Sequence, residues 1–245
     1  MVTGRDTAAL LVCAGSASRM GGINKILHPL GGSTVLQHVL SAFCKCNSIA
    51  EIVIVAKAAD LPAFQAILSA EKPALPVHLT AGGATRQESV RNGFRLIPVS
   101  CNYVAIHDGA RPLIRPADIE QVISVARKSG AATLGVPVKD TIKSVKNGII
   151  TGTPDRSVLY QTQTPQVFAR ELYEQAMQLA AEQEKDYTDD CQLVEALGRT
   201  VTMTAGAYSN LKLTTPEDFA IAEALLQLQS EEERNHGEFQ NRTRL

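Results

Sequence analysis

Short apolar segments that alternate with helix-period segments are the feature of this sequence that most constrains its fold. Five runs that are apolar on both faces predict buried strands at residues 8–13, 51–56, 77–80, 103–107 and 131–137. Segments with apolar residues at helical spacing lie between them, at residues 34–44, 61–70, 85–95 and 116–128. Such alternation is typical of a mostly parallel sheet with helices on both faces, whose ligand lies at the carboxyl ends of the strands.

After Pro137 the residue pattern predicts a β-hairpin. Strands at residues 139–145 and 149–153 flank Asn147-Gly148, a dipeptide that supplies the positive φ angles of a type I′ turn. Helices at residues 169–183 and 189–196, strands at 200–204 and 211–213, and a last helix capped by Thr215 follow. We therefore expect an α/β protein: one Rossmann-like domain at residues 1–230 with a projecting hairpin arm at about residues 138–161. The polar sequence at residues 231–245 predicts a flexible tail.

The composition excludes several classes of function. The 245 residues include 24 Lys+Arg and 25 Asp+Glu, and a net charge of -1 argues against a broad surface for nucleic acid. No apolar run approaches the roughly 18–20 residues of a membrane span, and the first nine residues lack the character of a signal peptide. Five cysteines, mostly inside apolar runs, are typical of reduced, buried thiols. We therefore expect a cytoplasmic protein that binds neither nucleic acid nor membranes.

The loop after the first predicted strand has the composition of a phosphate-binding segment. Small residues at positions 14–22 would let the backbone approach a ligand closely. The loop is not a Walker A motif, because no Gly-Lys-Ser/Thr ends it, and Ala17 stands where a dinucleotide fingerprint has its second glycine. Arg19 and Lys25 would supply the positive charge that a phosphate-rich ligand needs. Taken alone, the loop fits equally well a surface turn with solvent-facing cations.

Six segments in order carry a resemblance to a known family. The first, Ala14-Gly15 with Arg19-Met20-Gly21 and Lys25, is similar to the signature loop of sugar-phosphate nucleotidyltransferases. The others lie at residues 82–90, 107–112, 138–143, 159–166 and 210–218. Together, over residues 8–228, they resemble the 2-C-methyl-D-erythritol 4-phosphate cytidylyltransferase family of the non-mevalonate isoprenoid pathway. The resemblance implies transfer of CMP from CTP to the polyol phosphate, with release of pyrophosphate.

The resemblance assigns roles to individual residues. Arg19 and Lys25 would stabilise the transition state at the α-phosphate and the departing pyrophosphate. The nucleotide would be bound by Ala14, Gly15, Gly83, Arg86, Ser89 and Asp108. The second substrate would be bound by Arg111, Thr141, Arg156, Thr188 and Lys212. Ser89 also suits the first turn of the helix predicted at residues 85–95, and the two roles are compatible.

Asp108 is the predicted metal ligand. It follows a predicted apolar strand, so its carboxylate should emerge at the carboxyl end of the sheet, where the resemblance places Mg²⁺·CTP. Mg²⁺ takes one or two carboxylates together with phosphate oxygens, so one aspartate suffices; a turn aspartate before Gly109 is the alternative interpretation. His107 ends the same strand alone, which is more typical of a satisfied core histidine than of a ligand.

The family is homodimeric, and its arm completes the neighbouring subunit's site, so the resemblance implies a homodimer through the hairpin arm. Two alternatives remain open. One is a ribitol 5-phosphate cytidylyltransferase, although such relatives tend to carry Val where this chain has Ala110. The other is a non-catalytic regulatory module that binds nucleotides. Three departures from the family are visible. Asn24 and Ile26 flank Lys25 where Pro and Gln are common, and Ser209 stands where an acidic residue is common. Ala84 replaces a residue beside the cytosine pocket that is frequently acidic or polar.

Overall fold

A seven-stranded sheet forms the centre of the computed structural model, in which residues 4–15 and 24–242 are described, with side chains as far as residue 229. The strands of this sheet, in chain order, are β1 (Thr7–Val12), β4 (Ile49–Ala56), β5 (Val77–Ala81), β6 (Tyr103–Asp108), β7 (Ala131–Pro137), β10 (Tyr160–Ala169) and β11 (Thr202–Ala205). Two small hairpins add β2 (Pro29–Leu30) with β3 (Ser33–Thr34), and β8 (Ser144–Lys146) with β9 (Ile149–Gly152).

Helices cover both faces of the sheet, as the sequence predicts. They are α1 (Val35–Cys44), α2 (Leu61–Glu71), α3 (Arg86–Phe94), α4 (Pro116–Ser129), α5 (Arg170–Glu182), α6 (Asp190–Ala196) and α7 (Pro216–Arg242). Side chains of α1, α2, α4 and α7 pack in the core on one face. Those of α3, α5 and α6 pack in the core on the other face. The mixed α/β fold with two covered faces is therefore confirmed.

The strand order of the main sheet is β11-β7-β10-β6-β1-β4-β5. All neighbours are parallel except β10, which lies antiparallel between β6 and β7. The sequence pattern did not predict β10, because its first half has no apolar run and it contains Pro165, a residue that argues against an interior strand. The register of β10 shifts around this proline.

The prediction of a strand at residues 211–213 was wrong. The segment is a loop, and the backbone N–H of Leu213 donates to the Ala110 carbonyl at 2.8 Å. Ala110 follows β6, whose two edges are already paired with β1 and β10. β6 therefore offers this segment no free edge with which to form a ladder.

The hairpin predicted after Pro137 is confirmed, with shorter strands than expected. Asn147 and Gly148 have φ angles of 52° and 78°, which the turn between β8 and β9 requires. Its apolar side chains have little contact with the rest of the chain: Val145, Ile149 and Ile150 are 57%, 70% and 60% exposed. The hairpin forms a sheet of its own, separate from the seven-stranded one.

The last helix begins directly after Thr215, as predicted, and continues to Arg242. It therefore extends past residue 230, and the flexibility of residues 231–245 stays a prediction.

Among the described residues, no helix has both the length and the apolar character to cross a membrane. All five cysteines are free, and all but Cys44 are buried.

Gly93 in α3 gives a test of how closely this helix packs on the sheet. A Cβ at this position would lie 2.5 Å from Val55 Cγ2 and 3.2 Å from Leu10 Cδ1. Although Ala favours helices over Gly by about 1 kcal/mol, overpacking costs about 1–3 kcal/mol. We expect Gly93→Ala to lower the free energy of unfolding in urea, and Gly4→Ala, which meets no atom within 4 Å, to leave it unchanged. A Gly93→Ala protein as stable as the wild type would contradict this packing.

Candidate active site

A cavity of about 510 Å³ opens at the carboxyl ends of the central parallel strands. Residues at or just after the ends of β1, β4, β5 and β6 line it, so the cavity lies where a ligand is expected in an α/β sheet. Eight of the predicted site residues lie on its wall: Ala14, Gly15, Lys25, Gly83, Arg86, Ser89, Asp108 and Lys212.

Backbone hydrogen bonds hold the loops of this wall together. Cys13 donates to the Val55 carbonyl at 2.7 Å, and Gly82 donates to the Ala56 carbonyl at 2.8 Å. Gly109 donates to the Val12 carbonyl at 3.0 Å. The parallel ladders thus extend one residue beyond the strands and fix the starts of three loops at one edge of the cavity.

The start of α3 forms one rim of the cavity. Thr85 is its N-cap, and its hydroxyl accepts from the Glu88 N–H at 3.1 Å. The buried Ser89 hydroxyl donates to the Thr85 carbonyl at 2.9 Å and accepts from the Gly83 N–H at 3.1 Å. Ser89 therefore serves the first helical turn, as the sequence suggested, and its oxygen keeps a second lone pair that can accept a hydrogen bond.

Three cations surround the Asp108 carboxylate. Lys212 Nζ lies 2.9 Å from Oδ2, Arg111 Nε lies 3.7 Å from Oδ2, and Arg86 Nη2 lies 3.7 Å from Oδ1. Burial alone would raise the pKa of Asp108, but the positive charges of Lys212, Arg86 and Arg111 outweigh it and hold this pKa well below its usual range. Asp108 is therefore ionised at every physiological pH.

Residues behind Asp108 fix its backbone. The Asp108 N–H donates to the Thr164 hydroxyl at 3.0 Å, and the same hydroxyl lies 3.0 Å from His107 Nδ1. His107 Nε2 lies 3.1 Å from the Arg111 carbonyl oxygen, and the ring is fully buried. His107 is thus a satisfied core residue, as predicted. Sequence reasoning missed the support from Thr164, because only the antiparallel pairing of β10 brings it there.

The segment that carries Lys212 is attached to the loop after β6. Arg111 Nη1 donates to the Asn210 carbonyl at 2.8 Å, and Asn210 Nδ2 donates to the Thr164 carbonyl at 3.0 Å. Lys25 Nζ donates to the Leu213 carbonyl at 3.0 Å, so the predicted catalytic lysine also contacts this segment. The buried Asn210 was not predicted as a site residue; its place at the start of the motif at residues 210–218 was the available signal.

The structure does not bring every predicted residue to the cavity. Arg19 lies outside the described residues. Thr141 and Arg156 are exposed on the arm, where the Arg156 guanidinium donates to the Lys139 carbonyl. Thr188 is exposed next to the N-terminus of α6. Arg111 is part of the cluster behind the cavity wall, through Asp108.

Comparison with known proteins decides the family. A sequence model described as 2-C-methyl-D-erythritol 4-phosphate cytidylyltransferase matches residues 7–228. This chain belongs to that family. A protein of that name from Syntrophotalea carbinolica is 44% identical over 220 residues, which cover 89% of this chain and 94% of the relative.

Solved structures of relatives agree with the fold. The 4-diphosphocytidyl-2C-methyl-D-erythritol synthase of Anaerococcus prevotii aligns with a TM-score of 0.82 at 31% identity and covers 91% of this chain and 99% of its own. The 2-C-methyl-D-erythritol 4-phosphate cytidylyltransferase of Thermus thermophilus aligns with a TM-score of 0.73 at 31% identity, covering 89% and 98% of the two chains.

The donor set of this cytidylyltransferase family member limits how it can hold a metal ion. Among the described residues, no three His, Cys, Asp or Glu side chains are grouped as metal ligands. Asp108 is one ionised carboxylate on the cavity wall, and Mg²⁺ accepts a single protein carboxylate when phosphates supply further oxygens. The residues therefore fit a Mg²⁺ ion that is bound together with a nucleotide.

Burial of His107 gives this family member a testable pH dependence. Burial lowers the pKa of His107 from 6.5 to about 4, so the unfolded chain takes up this proton first as the pH falls. Stability should therefore be lost between pH 6.5 and pH 4, by about 2 kcal/mol from pH 6.5 to pH 5. Urea unfolding at pH 7 and pH 5 measures the loss, which a folded His107→Gln variant should lack. Identical pH dependence in both proteins would contradict the assignment.

Proposed function

We propose that this chain transfers CMP from CTP to 2-C-methyl-D-erythritol 4-phosphate, giving 4-diphosphocytidyl-2-C-methyl-D-erythritol and pyrophosphate in isoprenoid precursor biosynthesis. Family membership over residues 7–228 supports the reaction. The observation that carries it is the cluster in the cavity, where an ionised carboxylate and three predicted phosphate or nucleotide ligands, Lys25, Arg86 and Lys212, face one space.

The chemistry requires positioning and charge stabilisation more than proton transfer. A phosphate oxygen of the polyol phosphate attacks the α-phosphorus of CTP, and the bond from that phosphorus to the bridging oxygen of pyrophosphate breaks. Because the nucleophile is already an anion, no general base is needed. Lys25 and Lys212 reduce the repulsion between two polyanions and offset the charge that develops on phosphorus; Arg19 would add to this from the loop at residues 14–22.

The rim at α3 suits recognition of the base. Cytosine has an amino donor where uracil has a carbonyl acceptor, so a fixed acceptor in the pocket favours cytosine. Ser89 is buried, held by two hydrogen bonds, and keeps an acceptor lone pair on the cavity wall. Ala14, Gly15 and Gly83 leave room for the ring because their side chains are small or absent.

Asp108 would hold Mg²⁺ with the phosphate oxygens of CTP. Such an ion would withdraw charge from the phosphates and screen their repulsion. Lys212, which contacts Asp108 at 2.9 Å, would then lie close to the ion and could bind the phosphate of the second substrate beside it.

We also propose a homodimer through the hairpin arm, in a cytoplasmic enzyme. A two-stranded hairpin is marginally stable alone in water, and the arm exposes a row of apolar side chains: Ile142, Val145, Ile149, Ile150, Val158 and Tyr160. A second copy of the chain would cover them. Thr141 and Arg156 lie on this arm and are absent from the lining of the cavity, so they would reach the polyol phosphate in the partner subunit.

A substrate panel tests the reaction directly. We expect pyrophosphate release with CTP and 2-C-methyl-D-erythritol 4-phosphate, much less with UTP or ATP, and its loss when EDTA removes divalent ions. Ribitol 5-phosphate is the control polyol phosphate. Faster turnover with ribitol 5-phosphate would replace the proposed substrate, and no release with any pair would leave only a nucleotide-binding role.

Mixed dimers test the shared site. Lys25→Met should lower turnover about 10²–10³-fold by removing one transition-state donor, and Arg156→Met should also inactivate. If Arg156 serves the partner subunit, refolding the two variants together should give about half heterodimers, and activity should recover to about a quarter of the wild-type level.

A second pairing is the control for this experiment. Lys25 and Asp108 line the same cavity of one chain, so Lys25→Met mixed with Asp108→Asn should give no recovery. If demonstrated heterodimers of the first pair also stay inactive, Arg156 acts in its own subunit and the shared-site proposal fails.

A further inference from the structure

Asp190 is a buried carboxylate next to the cavity, and the reaction proposed above gives it no role. It is the first residue of α6 and is 1% exposed. Its Oδ1 accepts from the Tyr173 hydroxyl at 2.5 Å, and its Oδ2 accepts from Arg86 Nη2 at 2.7 Å. A carboxylate is rarely buried so completely unless both oxygens are paired. Here one oxygen faces the core and the other faces a residue of the cavity wall.

Arg86 lies between two carboxylates. The nitrogen that bonds Asp190 at 2.7 Å is 3.7 Å from Asp108 Oδ1, which is outside hydrogen-bond distance. Asp190 thus draws the guanidinium away from Asp108, and Arg86 keeps an electrostatic but not a direct contact with the predicted metal ligand. Arg86 is also the first residue of α3. The N-cap of this helix, Thr85, and its first turn, which ends at Ser89, form the rim proposed to recognise the base, called the base rim below.

The start of α6 does not depend on the Asp190 carboxylate. Asp189 is the N-cap, and its side chain accepts from the Gln192 N–H at 3.1 Å. The backbone N–H groups of Asp190 and Cys191 both donate to Gln166 Oε1, at 3.0 and 3.1 Å. These residues satisfy the helix N-terminus. Among the residues that the structure describes, the Asp190 carboxylate has two hydrogen-bond partners, Tyr173 and Arg86.

We propose that Asp190 is a positioning residue for the CTP site, which acts through Arg86 and rests on the cytidylyltransferase reaction proposed above. It holds the guanidinium at the start of α3 and keeps it from closing on Asp108. Without the Asp190 charge, Arg86 is free to form a direct ion pair with Asp108 Oδ1. That pair competes with Mg²⁺·CTP for the carboxylate and shifts the first turn of α3 that carries the base rim.

Asp190→Asn tests this role, because it keeps the volume of the side chain and removes its charge. We expect the KM for CTP and the Mg²⁺ concentration for half-maximal activity to rise about 10- to 100-fold. Losses of this size are typical when a residue that helps to position a metal site is removed. The KM for the polyol phosphate and kcat should change much less. Calorimetric titration of Mg²⁺·CTP into the protein, with no polyol phosphate present, should show the same loss of affinity.

Asp189→Asn is the matched control. It makes the same chemical change one residue earlier, and Asn is as good an N-cap as Asp. Since Asp189 does not contact Arg86 in the structure, the KM of the Asp189→Asn variant for CTP should stay within about twofold of the wild-type value. Equal effects of the two variants would show a general charge effect near α6 and overturn the proposal.

A double-mutant cycle identifies Arg86 as the intermediary. Arg86→Met alone should weaken CTP binding, and adding Asp190→Asn to it should weaken binding no further, because the guanidinium that Asp190 positions is gone. Additive losses would mean that Asp190 acts by another route. If Asp190→Asn does not fold, Tyr173→Phe removes only the hydroxyl that orients the carboxylate. A smaller rise in the KM for CTP is then expected, and an unchanged KM in this folded variant contradicts the proposal.

The outcomes separate this inference from the reaction on which it rests. Wild-type protein without CTP-dependent pyrophosphate release refutes the proposed function. Normal wild-type turnover with an unchanged KM for CTP in Asp190→Asn refutes the positioning role alone.

Discussion

The ionised Asp108 carboxylate, buried at the carboxyl end of β6, is the constraint around which the site is arranged. A charge removed from water must be paired, or its cost exceeds what a small domain can offset. Lys212, Arg86 and Arg111 provide that pairing from three different segments of the chain. Lys212 and Arg86 also line the cavity, so two of the residues that make the folded state tolerate Asp108 also present positive charge to a polyanionic ligand.

This arrangement depends on the mixed direction of the sheet. The parallel strands β1, β4, β5 and β6 bring their following loops to one edge, where a ligand can meet them together. The antiparallel β10 enters beside β6 and places Thr164 against both His107 and the Asp108 N–H. The charge cluster thus lies on a rigid strand pair, which suits a reaction whose catalysis is mainly positioning and charge stabilisation.

Charge also connects the two ends of the proposed nucleotide site. Arg86 faces Asp108 on one side and Asp190 on the other, and it begins the helix whose first turn holds Ser89. Burial would lower the pKa of Arg86, but its two carboxylate neighbours, Asp190 first, raise it instead. The guanidinium is therefore permanently charged, and its position links the Asp108 carboxylate to the first turn of α3.

The sequence by itself determined the α/β class, most of the strands and helices, and the cavity's position, because apolar periodicity and turn residues act locally. It also pointed to Asp108 through its place after an apolar strand, and to Lys25 and Lys212 through the resemblance of their motifs to a known family. Tertiary structure decided what no local pattern encodes. The strand β10 was not predicted because it contains Pro165. Residues 211–213 form a loop, and the strand β6 beside them has both edges paired already. The pairing of Arg86 with Asp190 joins residues 104 positions apart, and these charges meet only because α3 and α6 pack on the same face of the sheet.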